Sequence, residues 1–124
     1  MKKILIVDDD VRLLNITRRV LEATGEYEVM TEDSGQRAPA TAATFKPDLV
    51  VLDVMMPGMD GGEVASALRR HPATRNVPVL FLTSLASTGA KPTTDGGQRG
   101  IGQYLAKPVD PQALCHRVAE LLRQ

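Results

Sequence analysis

Residues 49–53 place Leu49, Val50, Val51 and Leu52 in an unbroken apolar row that ends in the carboxylate of Asp53. No polar residue alternates with the aliphatic ones. Such a row predicts a strand covered on both faces, as in a parallel sheet flanked by helices. After it come Val54-Met55-Met56, a Pro57-Gly58 turn signal and Asp60-Gly61-Gly62. In open parallel sheets ligands bind in the crevice at the carboxyl ends of the strands. Asp53 therefore reads either as a strand-end residue capping a loop or as a reactive carboxylate, and its own flanks do not choose.

The rest of the chain repeats the theme. Lys3–Val7 is a short apolar run ending in Asp8-Asp9-Asp10. A helical pattern follows over residues 11–24, with Leu13, Leu14, Ile16, Val20 and Leu21 at helical spacing, Asp10 as its N-cap and Gly25 as its stop. Residues 27–31 predict a second strand, and the alanine-rich stretch Ala38–Phe45 a second helix. Pro39 sits where it either delays that helix or kinks it. Lys46-Pro47-Asp48 breaks it before the central strand. A third helix is expected over Gly61–Arg70, with Val64, Ala67 and Leu68 inward and His71-Pro72 as its end. A fourth strand is expected over 77–82, with Pro78 at its start, leading into Thr83-Ser84.

Residues 87–102 break the pattern. A crossover helix belongs there, but the stretch is rich in glycine, and each interior Gly costs about 1 kcal/mol relative to Ala. The expectation is a short, frayed helix or a mobile loop. A fifth strand over 103–106 runs into Lys107-Pro108. Asp110-Pro111 then supplies a cap and a first-turn proline for a last helix with Leu114, Val118, Leu121 and Leu122 on one face. Strands alternating with helices predict an α/β domain: a doubly wound five-stranded parallel sheet with helices on both faces. The least apolar strands, the second and fifth, belong at the edges, which fits the order 2-1-3-4-5.

Composition narrows the function. The 124 residues suit one domain, and 15 basic against 15 acidic side chains leave a formal net charge of +0. That balance offers no footprint for nucleic acid or an anionic membrane. The single Cys115 rules out an internal disulfide and a cysteine-based metal site. The N-terminal apolar run stops at Asp8, too short for a secretory or spanning segment, so a cytoplasmic location is expected.

Four strands end in a distinctive polar residue: Asp8-Asp9, Asp53, Thr83 and Lys107. A parallel sheet brings these ends to one edge. Close carboxylates repel one another unless a cation sits among them or some are protonated. Oxygen ligands with access to water favour Mg²⁺, and no His or Cys at a strand end argues for zinc or copper. A lysine and a hydroxyl beside Mg²⁺ make a cradle for a phosphoryl group, and a carboxylate can accept that group as an acyl phosphate. Asp53, the centremost carboxylate, is the best candidate nucleophile.

The motifs Ile-Leu-Ile-Val-Asp8-Asp9-Asp10, Leu-Val-Val-Leu-Asp53-Val-Met-Met-Pro57-Gly-Met-Asp60-Gly61, Leu82-Thr83-Ser84 and Tyr104-Leu-Ala-Lys107-Pro108 occur in this order. Together they resemble the response-regulator receiver domains of two-component signalling, over nearly the whole chain. The resemblance implies a CheY-like, flavodoxin-like fold with Asp53 as phosphoacceptor for a histidine-kinase phosphohistidine. It further implies Mg²⁺ held by Asp9, Asp53 and the Met55 backbone carbonyl, with Asp8 acting mainly through water. Thr83 and Lys107 would touch the phosphoryl oxygens, Thr83 and Tyr104 would form a switch pair, and the Lys107–Pro108 bond would be cis. Asp10 reads as a cap, and Asp60 and Gly61 as turn and helix-start residues. Such a protein is a switch with self-phosphorylation and slow autophosphatase activity more than a turnover enzyme. Its partners would be a sensor histidine kinase or phosphotransfer protein and a downstream protein target. No output domain follows the receiver in residues 1–124, so the chain is either a stand-alone regulator or a receiver segment of a longer protein. Met55 and Leu85, which in receivers flank the path of attacking water, cannot bond that water strongly, so a long-lived phosphoryl group is expected.

Two rivals remain. A haloacid-dehalogenase-like Mg²⁺ phosphatase would use Asp8 as nucleophile in an Asp-x-Asp pattern, but Arg12 does not complete that pattern. A flavodoxin-like electron carrier needs a phosphate loop after the first strand, where three aspartates would repel a flavin phosphate.

Overall fold

The computed structural model describes residues 1–54, 56, 61–83, 103–107 and 109–123. Its elements in chain order are β1 (Lys2–Val7), α1 (Val11–Glu22), β2 (Tyr27–Glu32), α2 (Ala38–Phe45), β3 (Leu49–Asp53), α3 (Gly61–Arg70), β4 (Val79–Thr83), β5 (Gln103–Ala106) and α4 (Pro111–Leu122). The strands form one sheet in the order β2-β1-β3-β4-β5, with every neighbouring pair parallel. The second and fifth strands are its edges, as their weak apolar character predicts. The expected crossover helix over 87–102 lies outside the described residues.

Alternation along the strands sorts the core into two layers. Leu5, Val7, Val50, Leu52, Val79 and Phe81 pack under α2 and α3. Ile4, Ile6, Leu49, Val51, Leu80 and Leu82 pack under α1 and α4. The central strands β3 and β4 are buried at every position. This is why residues 49–52 need no polar alternation.

Helix ends follow local chemistry. The Asp10 carboxylate accepts from Arg12 N at 3.0 Å and Leu13 N at 3.3 Å, satisfying donors that α1 would otherwise leave open. Asp110 does the same for α4 through Ala113 N at 3.1 Å, with Pro111 in the first turn. Pro39 falls in the first turn of α2, where its missing donor does no harm, so the helix starts on time. That helix closes at Lys46 in the left-handed conformation, whose N–H returns to Ala42 O at 2.8 Å. Lys3 and Asp48 then pin the entry to β3: Lys3 N donates to Asp48 Oδ2 at 2.8 Å, and Asp48 N to Lys3 O at 2.7 Å.

Three expectations need correction. In α1 the buried positions are Leu14, Thr17 and Leu21, while Ile16 is 58% exposed. The i, i+3, i+7 spacing selects Thr17, and Ile16 falls on the outer face. In α3 Ala65 is buried beside Val64 and Leu68, and Ala67 is only half-buried. The fourth strand starts at Val79 and ends at Thr83. Pro78 precedes it, and its carbonyl still accepts from Val50 N at 3.0 Å. No helix among the described residues is long and apolar enough to cross a membrane.

Candidate functional site

The strand termini deliver the predicted cluster. Asp8, Asp9 and Asp53 each offer a carboxylate oxygen within 4.8 Å of the others. Asp8 and Asp53 are buried, at 1% and 4% exposure, and Asp9 is open to solvent. Lys107 reaches across from the end of β5. Its Nζ lies 3.0 Å from Asp53 Oδ1 and 3.4 Å from Asp8 Oδ2. Alternation explains the meeting: Asp8 lies two residues beyond Ile6, Asp53 two beyond Val51, and Lys107 two beyond Leu105. All three precursors pack in the α1/α4 layer.

The backbone fixes each participant. Asp8 N continues the β1–β2 ladder by donating to Glu32 O at 3.1 Å, and Asp8 Oδ1 accepts from Asp10 N at 3.0 Å. Val54 N donates to Leu82 O at 3.0 Å, holding the residue after Asp53 to β4. Lys107 N donates to Thr83 O at 2.8 Å, which ties the base of the lysine to the same strand.

Electrostatics favour a cation. Two carboxylates about 5 Å apart repel by roughly 3 kcal/mol at an effective dielectric near 20. Burial pushes the Asp8 carboxyl up to about 6, and the Asp53 charge pushes the same way. The Asp10 N–H and Lys107 act against them. Burial alone would lower Lys107, yet the two carboxylates outweigh it and the ammonium is held above its ordinary value. One lysine thus faces three carboxylates. Hard oxygen donors, one of them solvent-accessible, fit a small divalent cation that keeps part of its water shell. Among the described residues this is the one such group of acidic, His or Cys side chains.

Thr83 and Tyr104 occupy the other layer. Thr83 is fully buried at the end of β4, two residues beyond Phe81. Tyr104 pairs with Phe81 in the β4–β5 register and stacks on its ring, centroids 5.0 Å apart and planes 22° from parallel. Asp10 stands outside the carboxylate cluster as a helix cap, as expected. Met55, Asp60 and the Lys107–Pro108 bond lie outside the described residues. Two features were not foreseen. Phe81 as the ring partner of Tyr104 depends on register across the β4–β5 crossover, which no local pattern encodes. The close approach of Gly61 to the Asp53–Val54 peptide had only one signal, a glycine at a helix start, and that fits an ordinary turn equally well.

Comparisons with known proteins agree with this geometry. Residues 4–119 match the family model described as response regulator receiver domain. The chain is 43% identical to the response regulator PleD of Caulobacter vibrioides over 98% of its own length and 26% of that protein. It is 39% identical to the DNA-binding dual master transcriptional regulator RpaA of Synechocystis sp. over 100% of its length and 50% of that protein. The chain thus spans half or less of the length of these relatives. Among solved structures, the receiver domain of the Francisella response regulator 1452 superposes with a TM-score of 0.84 at 31% identity, covering 99% of this chain and 98% of that one.

Proposed function

The chain belongs to the response regulator receiver family, and from that premise we propose that it is a phosphorylation switch in which Asp53 accepts a phosphoryl group from the phosphohistidine of a sensor kinase or phosphotransfer protein. The observation that carries this reading is the contact of Lys107 Nζ with both Asp53, at 3.0 Å, and Asp8, at 3.4 Å, beside three clustered carboxylates.

Asp8, Asp9 and Asp53 would hold Mg²⁺, with the Met55 carbonyl as the further ligand the family resemblance implies. Mg²⁺, when bound, supplies positive charge to the phosphoryl oxygens as they pass in line from donor to acceptor. The residues of the chain do the rest. An Asp53 carboxylate oxygen forms the new O–P bond as the N–P bond of the phosphohistidine breaks, and the donor imidazole leaves with the bonding electron pair. Lys107 gives up part of its contact with Asp53 and neutralises a phosphoryl oxygen. Thr83, at the adjacent strand end, donates its hydroxyl to another. Tyr104, in the same layer as Thr83, reports that change to the β4–β5 surface, where a downstream protein would read it. A cytoplasmic setting suits such an exchange.

A phosphatase built on Asp8 is disfavoured. Asp10, the second carboxylate of its pattern, is spent on capping α1. The test is incorporation of phosphate from acetyl phosphate with and without Mg²⁺. Wild-type protein should label only with the metal, and Asp53→Asn should not label. Equal labelling of Asp53→Asn would overturn the assignment.

A further inference from the structure

At the start of α3 the backbone approaches the phosphoacceptor more closely than any side chain would allow. A Cβ added to Gly61 would stand 2.8 Å from Val54 Cα and 2.9 Å from Asp53 O. Both neighbours are backbone atoms, so neither can rotate away. Gly61 N also donates to Val54 O at 2.8 Å, which joins the two ends of residues 54–61. The left-handed region is not the reason for glycine here, since among the described glycines only Gly25 has a positive φ, at 75°. Space is the reason.

Neither partner is free to yield. Val54 is bonded on its other side to Leu82 O. The helix is anchored by Val64 and Leu68, which are almost fully buried. A side chain at position 61 must therefore displace the peptide that carries Asp53, lift the first turn of α3, or divide the strain between them. Asp53 is the one participant in the cluster whose carbonyl lies inside this contact.

We propose that Gly61 is a positioning residue for phosphoryl transfer: its missing side chain lets α3 clamp the Asp53–Val54 peptide and so fixes where the Asp53 carboxylate meets Lys107 and the metal. The inference rests on the reading of Asp53 as phosphoacceptor. Reactions that depend on alignment lose rate steeply with displacement, about 100-fold for roughly 1 Å. A shift of a few tenths of an ångström predicts a loss of about tenfold.

The test pairs Gly61→Ala with Gly62→Ala, the same change one residue along α3 at an exposed position. Phosphorylation by acetyl phosphate is followed at a temperature where all three proteins are folded, together with the dissociation constant for Mg²⁺. Gly61→Ala should react about tenfold more slowly per folded molecule and bind Mg²⁺ more weakly, while Gly62→Ala stays within about twofold of wild type. A lower melting temperature for Gly61→Ala with unchanged rate and Mg²⁺ affinity would mean a packing role alone and overturn the inference. If Gly61→Ala does not fold, the wild-type protein still decides. Coupling between sites is reciprocal, so Mg²⁺ should slow amide exchange at Gly61, by about fivefold or more. An exchange rate at Gly61 indifferent to Mg²⁺ refutes the proposal. If the wild-type protein takes no phosphate, the proposed function falls first; if it does and Gly61→Ala matches it, only the role of Gly61 is lost.

Discussion

The two layers of this sheet share an aliphatic base but differ in what is added to it. Under α1 and α4 the core is almost wholly large and aliphatic: Ile4, Ile6, Leu14, Leu21, Leu49, Val51, Leu80, Leu82, Leu114, Val118 and Leu121, with Tyr27 at its margin. Under α2 and α3 the aliphatic residues Leu5, Val7, Val50, Leu52, Val64, Leu68 and Val79 are joined by small residues and rings: Ala38, Ala42, Ala65, Phe45, Phe81 and the half-buried Tyr104. The charge cluster of Asp8, Asp53 and Lys107 grows from the aliphatic layer. Thr83 and Tyr104 grow from the mixed one. Interlocked branched side chains resist displacement, which suits groups that must hold a fixed geometry. The proposed phosphoacceptor, its lysine and the carboxylate Asp8 thus stand on one face of the sheet, and the proposed switch pair Thr83 and Tyr104 on the other.

The sharpest way to break that comparison is to hollow the aliphatic layer. Leu80→Ala should cost about 3–4 kcal/mol in denaturant unfolding, because Leu80 is completely buried in the central part of the sheet. Ala42→Gly in the mixed layer should cost only about 1 kcal/mol. Equal losses would erase the distinction. Next in size is Lys107→Ala. Removing the ammonium that touches both buried carboxylates should slow phosphorylation by about 100-fold, near 3 kcal/mol, with Mg²⁺ saturating. Stopped-flow or gel-shift kinetics would show it, and a near-normal rate would mean the lysine is structural.

Asp8 gives a smaller and sign-dependent effect. Its folded value of about 6 lies above the ordinary 3.8. Its contribution to metal-free stability is therefore full below about 3.8 and lost as pH rises through about 6. Asp8→Asn should stabilise the metal-free protein by about 2 kcal/mol at pH 7 and by almost nothing at pH 4. Thermal unfolding at the two pH values checks this; equal gains at both would contradict it. Smallest is Ile16→Ser on the outer face of α1, expected to change stability by less than about 0.5 kcal/mol. A large loss would contradict the exposed position of Ile16 on the outer face of α1.

Much of the site was legible because it depends on strand ends. Residues 49–52 announce a doubly covered strand, and the polar residues that follow the apolar runs must then share an edge. The edges of the sheet followed from the weak apolar character of β2 and β5, and the full order from the common doubly wound topology. What stayed hidden depends on rotation or register. In α1, apolar residues at 13, 14, 16, 20 and 21 cannot all face one side. The chain resolves the conflict by burying Thr17, which hydrophobicity alone does not select. The stacking of Tyr104 on Phe81 needs the β4–β5 register, and residues 84–102 separate the two strands in sequence. The requirement for glycine at position 61 comes from a backbone approach that only three dimensions reveal.

The central claim is that Asp53, and not Asp8, carries the acyl phosphate. Borohydride reduction of freshly phosphorylated protein converts an aspartyl phosphate to homoserine, which peptide mass mapping then locates. Homoserine at position 53, absent without Mg²⁺, is the expected result. Homoserine at position 8, with position 53 unchanged, would contradict the account.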